Sequence, residues 1–235
     1  MNSLILPVGG NASRMQGLPK FMLPISPTHT LIEKHCEAAI NAGYDDVHII
    51  TKKIYKDLIH DFLKAKNLDV ELSVLQNDTD TMTETLIVGG ATIPNLESRN
   101  LTIGLADTAF TGISYEDVYS SLLASEQEIM LSLFVPREDQ KGKLGQVLLD
   151  KDSTVLDMVD KSFTCDYPYI WGMAKLPGWL MLKASRKDAH IGIGIGKLVS
   201  SGTSVKGVIN IGAKYFDCGT FSEYYSCLSE LNDFN

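Results

Sequence analysis

The chain has 235 residues, 44% of them apolar, and a formal net charge of −8. That is enough apolar residue for one sizeable core, and the acidic balance without any Lys/Arg run argues against a nucleic-acid partner. Small anionic ligands stay open, because a few focused cations and a divalent ion can override the overall sign. The four cysteines, Cys36, Cys165, Cys218 and Cys227, form no CxxC pair and no zinc-ligand spacing, which points to reduced thiols. The opening MNSLILPVGG has no basic n-region, and no apolar run approaches the ~20 residues of a membrane span. The expectation is a cytoplasmic protein with no membrane partner; a homo-oligomer is left open.

Taken in chain order, Leu4–Val8 is a short apolar run ending at Gly9-Gly10, the pattern of a buried parallel strand. A polar, Gly-containing loop runs to Pro24. Thr30-Leu31-Ile32-Glu33 is a capping box, and the helix it opens should stop at Gly43. Strands over Val47–Thr51, Val70–Leu75 and Leu101–Ala106 alternate with helices over Ile54–Lys66 and Thr83–Gly89. A helix over Ser114–Ser125 and a strand over Ile129–Val135 follow. This alternation predicts a Rossmann-like α/β fold, a mostly parallel mixed sheet with helices on both faces.

Further on, Gln146–Leu149 and Val155–Asp160 form a hairpin around the polar turn Asp150–Ser153. A strand over Tyr169–Leu176, a helix over Pro177–Ala184, a helix over Ile195–Ser201 and strands over Val205–Ile211 and Tyr215–Phe216 come next. Thr220 caps a last helix. Gly192-Ile193-Gly194-Ile195-Gly196 reads as a flexible approach to its helix. No repeat or linker interrupts the chain, so one domain over 1–235 is expected, in two parts of about 1–110 and 111–235.

Ligands of such sheets bind beyond the carboxyl ends of the strands, which marks the loops after Val8 and after Ala106. The first, Gly9-Gly10-Asn11-Ala12-Ser13-Arg14, matches neither GxGxxG nor GxxxxGK[ST]. Its glycines allow backbone amides to approach phosphate oxygens. Asp107 and Asp217 each follow an apolar strand, and two carboxylates meeting at strand ends suit hard Mg²⁺, which takes one or two of them plus substrate phosphates.

These segments resemble the sugar-phosphate nucleotidyltransferase family. Gly9–Arg14 with Pro19-Lys20 is similar to its G-G-x-G-[ST]-R loop and following P-K. Leu105-Ala106-Asp107-Thr108 is similar to L-G-D-[NT], and Tyr215-Phe216-Asp217-Cys218-Gly219-Thr220 to [WY]-x-D-[TIC]-G-T. The resemblance runs from Leu4 to about Tyr225 with these landmarks in family order. It implies the nucleotide-diphospho-sugar transferase type of sandwich and transfer of a nucleotidyl group from an NTP to a sugar 1-phosphate, with pyrophosphate released. Leu6, Gly9, Gly10, Asn11 and Asp107 would bind nucleotide, and Gln76 would read the base. Arg14 would neutralise the departing phosphates, Lys20 would sit on the transferring phosphate, and Asp107 and Asp217 would hold Mg²⁺.

For the acceptor, Val159-Asp160-Lys161-Ser162 stands where the family has E-K-P, and Ile170-Trp171-Gly172-Met173 resembles the strand that follows. Lys161 and Gly172 would therefore contact the sugar phosphate, while Trp171 is expected in the core and His190 in no role. Two rivals stay open: a cytidylyltransferase acting on a phosphorylated alcohol such as phosphocholine, and a catalytically idle nucleotide-binding relative. The departures Ala12, Met82, Ala106, Asp160 and Ser162 speak for the second rival. The retained Arg14, Lys20, Asp107 and Asp217 speak against it.

Overall fold

The computed structural model of the chain describes residues 1–10 and 15–232. Its first half runs β1 (Asn2–Val8), α1 (Leu31–Ala42), β2 (Asp46–Lys52), α2 (Lys56–Ala65), β3 (Glu71–Leu75), α3 (Met82–Gly90), β4 (Asn100–Ile103), β5 (Thr108–Thr111) and α4 (Tyr115–Leu123). The second half runs β6 (Met130–Phe134), β7 (Gly145–Leu149), β8 (Val155–Asp160), β9 (Tyr169–Pro177), α5 (Gly178–Ser185), α6 (Ile191–Ser200), β10 (Lys206–Ile209), β11 (Lys214–Asp217) and α7 (Phe221–Asn232).

The main sheet has the order β10-β6-β9-β4-β1-β2-β3, and β7 and β8 extend it as a hairpin paired to β9. Strands β4, β1, β2 and β3 are mutually parallel, as are β6 and β10; β9 runs antiparallel to both β4 and β6. The expected mostly parallel mixed sheet is therefore present.

Side chains alternate across a strand, so a central strand buried on both faces must be apolar throughout. In β1, Leu4, Leu6 and Val8 pack with Ile32 of α1, Ile59 of α2 and Val118 of α4. The intervening Ile5 faces the other way, into a core with Leu86 of α3, Leu180 of α5 and Ile195 of α6. Two helical layers follow directly from that alternation.

The capping box on α1 is formed, with Thr30 Oγ1 accepting from the Glu33 amide and the Glu33 carboxylate accepting from the Thr30 amide at 3.1 Å. The helix ends at Gly43 as expected. The segment Gly192–Gly196 is different: it lies inside α6. Glycine weakens an isolated helix, but here the helix is packed too closely for side chains. A Cβ on Gly194 would fall 2.3 Å from the Ala184 carbonyl oxygen, and one on Gly192 within 2.8 Å of the Trp171 indole. Tertiary closeness, not local flexibility, accounts for these glycines.

Strand β5 has no counterpart in the sequence-based expectations. It pairs antiparallel with β11, Thr108 opposite Asp217 and Thr111 opposite Lys214, as a separate two-stranded sheet. Two polar devices fix this ribbon. On one side the fully buried His35 of α1 lies 3.0 Å from the Thr108 carbonyl and 2.7 Å from the Tyr119 hydroxyl. The carbonyl can only accept, so Nε2 carries the proton and Nδ1 accepts from Tyr119. On the other side Arg137 donates to the Tyr215 carbonyl at 2.8 Å and to both Glu223 oxygens at 2.9 Å, with its guanidinium 4.5 Å from the Phe216 ring centre. That fork ties β11 to the first turn of α7.

Burial lowers the pKa of His35 from its usual 6.5 to about 4, against a smaller opposing effect of the Thr108 hydrogen bond. Between those values the unfolded chain binds a proton that the folded chain refuses. The stability this confers is complete above pH 6.5 and is lost as pH falls toward 4, a change of about 3 kcal/mol. Denaturant midpoints measured across that window should follow this slope in the wild type and flatten in His35→Gln. Arg137→Ala should lower unfolding free energy by about 2 kcal/mol at pH 7, because it orphans hydrogen bonds to a charged partner; denaturant titration beside Arg137→Lys, which keeps charge but loses the fork, reads the difference.

Candidate active site

In the main sheet, β2 and β3 lie on one side of β1 and β4 lies on the other. Chain connections therefore diverge at the carboxyl ends of β1 and β4, which opens a crevice at that point. Gly9 and Gly10 leave β1 there, and Leu105, Ala106 and Asp107 leave β4 there; all five line a cleft of about 190 Å³. Lys20, Thr79, Asp80, Thr81, Met82 and Thr85 complete its walls.

Lys20 opens a short 3-10 turn, Lys20–Met22, pinned by the buried Phe21. Its Nζ lies 3.5 Å from Asp107 Oδ2, and their side chains are 18% and 33% exposed. The loop returns from the crevice at Met15, which is fully buried with Ala109, Phe216 and Cys218. The phosphate-loop expectation thus has one end at Gly10 and the other anchored on the β5–β11 ribbon. Asn11 and Arg14, both expected at the nucleotide phosphates, lie outside the described residues.

The backbones of Asp107 and Asp217 lie side by side at one end of the β5–β11 ribbon. The Cys218 amide donates to the Asp107 carbonyl at 2.9 Å, continuing the β5–β11 ladder. Asp217 Oδ1 accepts from the Gly219 amide at 3.0 Å, which turns its carboxylate back over the strand end. A Cβ on Gly219 would lie 2.7 Å from Asp217 Oδ1 and 3.2 Å from Lys20 Nζ, so Lys20 reaches toward both carboxylates. Burial, then the charges of Asp217 and Asp107, push the Tyr215 phenol well above its ordinary value. The Cys218 thiol is likewise pushed up, first by its contact with Cys227, then by burial, with both aspartates adding to it. One phenol and one thiol therefore feel both carboxylates. Cys218 is buried packing beneath them, as its softness toward Mg²⁺ predicts.

Asp107 and Asp217 also line a second compartment of about 200 Å³, together with Lys161, Asp160, Trp171, His190 and Gly192. Met82, Leu105 and Asp107 belong to both compartments and form the sill between them. Lys161 is where the sequence places it, on the turn after β8. Its backbone sits at φ 49°, the left-handed region that non-glycine residues rarely occupy and that clusters at functional sites.

Five expectations need correction or relocation. Trp171 is half-buried rather than core, with its indole edge filling the space left by Gly145 and Gly192, and it forms a wall of the second compartment. His190, given no role from sequence, lines the same compartment from the foot of α6. Gln76 does not line the nucleotide cleft: it is exposed, in a shallow depression with Lys52 and Asp78, which are themselves ion-paired at 3.0 Å. The buried Leu75 points inward and the next residue in an extended chain points out. Thr79–Met82 and Thr85 face the cleft instead. Leu6 is fully buried inside β1 and does not line the first cleft, and Gly172, expected to let a sugar ring lie close to its backbone, is instead covered by Phe134 and Tyr215, which stand 2.8 Å from where its Cβ would be.

The donor set at the aspartates fits a hard divalent ion: carboxylate oxygens at adjoining ends of the β5–β11 ribbon, both partly exposed to water. Among the described residues the cluster His29, Glu33 and Glu37 also brings three ligand-type atoms within 4.8 Å of one another. There Lys66 and the Thr30 amide already occupy Glu33, and Lys34 occupies Glu37. No helix among the described residues is long and apolar enough to cross a membrane.

Comparison with known folds agrees with this geometry. The structure is similar to UDP-glucose pyrophosphorylase complexed with UDP-glucose, with a TM-score of 0.81 at 18% identity over 100% of both chains. It is similar to the UTP-bound enzyme of the same kind from Acinetobacter baumannii, with a TM-score of 0.78 at 15% identity over 100% of this chain and 94% of that one. At these identities the likeness establishes the fold. A search of curated proteins by sequence found no match. The model of the nucleotidyl transferase family matches residues 3–233. The cleft at the strand ends, and a family match over nearly the whole chain, make this protein a member of the nucleotidyl transferase family, and so a nucleotidyltransferase.

Proposed function

We propose that the protein transfers a nucleotidyl group from an NTP to a sugar 1-phosphate and releases pyrophosphate. The observation that carries this reading is the joined pair of compartments, with Asp107 on the sill between them and Asp217 in the second. One compartment is framed by Gly9, Gly10 and Lys20, which suits phosphates; the other combines an indole wall with Asp160, His190 and Lys161, which suits a polar ring bearing a phosphate.

In this reading the triphosphate lies over Gly9–Arg14, with Arg14 taking the charge of the departing phosphates. Lys161 steers the acceptor phosphate toward the sill. An acceptor phosphate oxygen attacks the α-phosphorus, the bond from that phosphorus to the bridging oxygen breaks, and pyrophosphate leaves with the electron pair. The nucleophile is already anionic, so no side chain has to remove a proton. Positioning and charge stabilisation carry the catalysis, as in other phosphoryl-type transfers. Lys20, held beside Asp107, supplies a mobile cation to the transferring phosphate. Asp107 and Asp217 would hold Mg²⁺, which when bound draws negative charge off the phosphates.

UTP with glucose 1-phosphate is the first pair to assay, since the similar structures bear UTP and UDP-glucose. Pyrophosphate release should require Mg²⁺, stop on chelation and return on its replacement. Asp217→Asn and Asp107→Asn should each lower kcat by roughly 100-fold or more, the scale of losing one preorganised electrostatic contact, while the thermal midpoint stays close to wild type. Full turnover in either variant would overturn the roles assigned here. Exposed Gln76→Ala should leave KM for the nucleotide within about twofold, whereas Thr79→Val, in the cleft wall, should raise it.

A further inference from the structure

The cleft does not end at Asp217. A third compartment of about 390 Å³ opens beyond it and shares Leu144, Lys161 and Asp217 with the second. Its size is nearly double the second compartment's 200 Å³, more room than one ring already housed next door would need.

The charges in this space are uneven. Of its three carboxylates, Glu223 gives both oxygens to Arg137, Asp139 is paired with the same guanidinium at 3.2 Å, and Asp217 accepts from the Gly219 amide at the seam with the second compartment. Among the described residues Lys143 and Lys161 form no side-chain ion pair within 4.0 Å, and both are exposed at the cavity wall. They are held side by side. Gly145 pairs with Asp160 at the end of the β7–β8 hairpin, and the Lys161 amide donates to the Leu144 carbonyl at 3.3 Å.

Phe163, 80% exposed, lines the same cavity beside them. Its ring lies against Gly142, where a Cβ would fall 2.5 Å from Phe163 Cδ1 and where φ is 74°. Only glycine leaves room for that ring. Phe163 thus sets a large apolar face at the cavity rim, next to the two lysines.

We propose that this third compartment receives a second anionic group of the acceptor, so that the preferred substrate is a sugar 1-phosphate bearing a carboxylate or a further phosphate. Lys143 is its ion partner, Lys161 stands between the two anionic groups, and Phe163 covers the arm that joins them. This rests on the reading of the function given above.

The test compares kcat/KM, by pyrophosphate release, for glucose 1-phosphate, glucuronic acid 1-phosphate and glucose 1,6-bisphosphate in the wild type, Lys143→Gln and Phe163→Ala. At least one doubly anionic acceptor should exceed glucose 1-phosphate by about tenfold or more in the wild type, the scale of one charge-assisted contact. Which of the two does so distinguishes carboxylate from phosphate. Lys143→Gln should shrink that ratio to within about threefold of unity, chiefly through KM, and Phe163→Ala should reduce it as well. Turnover of all three acceptors without preference, or a preference that Lys143→Gln leaves intact, would overturn the proposal. If no sugar phosphate is consumed with any NTP, the underlying reading fails and takes this one with it, a visibly different result.

Discussion

The antiparallel pairing of β5 with β11 is the constraint on which the site depends. It sets Thr108 opposite Asp217 and lets the Cys218 amide bond the Asp107 carbonyl, so carboxylates 110 positions apart in the chain emerge at one strand end. The ribbon is only four residues long on each strand and would be marginal alone. Its order comes from what surrounds it: His35 bonding its carbonyl from α1, Arg137 forking onto Glu223 across α7, and Met15 packing beneath it from the phosphate loop. These contacts tie Met15, the segments bearing both aspartates and the last helix to one another.

The electrostatics follow the same economy. A chain of net charge −8 repels anions at long range, so phosphate recognition has to be local. Lys20, Lys161 and Lys143 stand in sequence along the cleft, with Asp107 and Asp217 between its compartments. In the proposed reaction, alternating cations and carboxylates in this way would give each phosphate a partner and leave oxygen ligands for a shared divalent ion.

Much of the architecture was legible from residues alone. Strand–helix alternation, the Thr30/Glu33 box, the Gly43 stop and the Asp150–Ser153 turn are local signals, and local physics decides them. Asp107 and Asp217 stood out as candidates by their positions after apolar strands, and Lys20 and Lys161 through the family resemblance; all four line the cleft. What escaped was set by tertiary contact. Strand β5, Thr-Ala-Phe-Thr, is too short to show a period and its partner lies in the other half of the chain. The glycines of α6 oppose helix formation by propensity, and only their closeness to Ala184 and Trp171 explains them. Trp171 and His190 as cleft walls, and Gln76 outside the cleft, depend on strand direction and register that no single segment encodes.

The most direct test is the binding of Mn²⁺, as a spectroscopic substitute for Mg²⁺, followed by electron paramagnetic resonance in the presence of a non-hydrolysable NTP analogue. Wild type should bind one ion in a nucleotide-dependent way, and Asp107→Asn and Asp217→Asn should each weaken it by about tenfold or more. Equal Mn²⁺ affinity in wild type and both variants would contradict a metal site shared by the two strand ends.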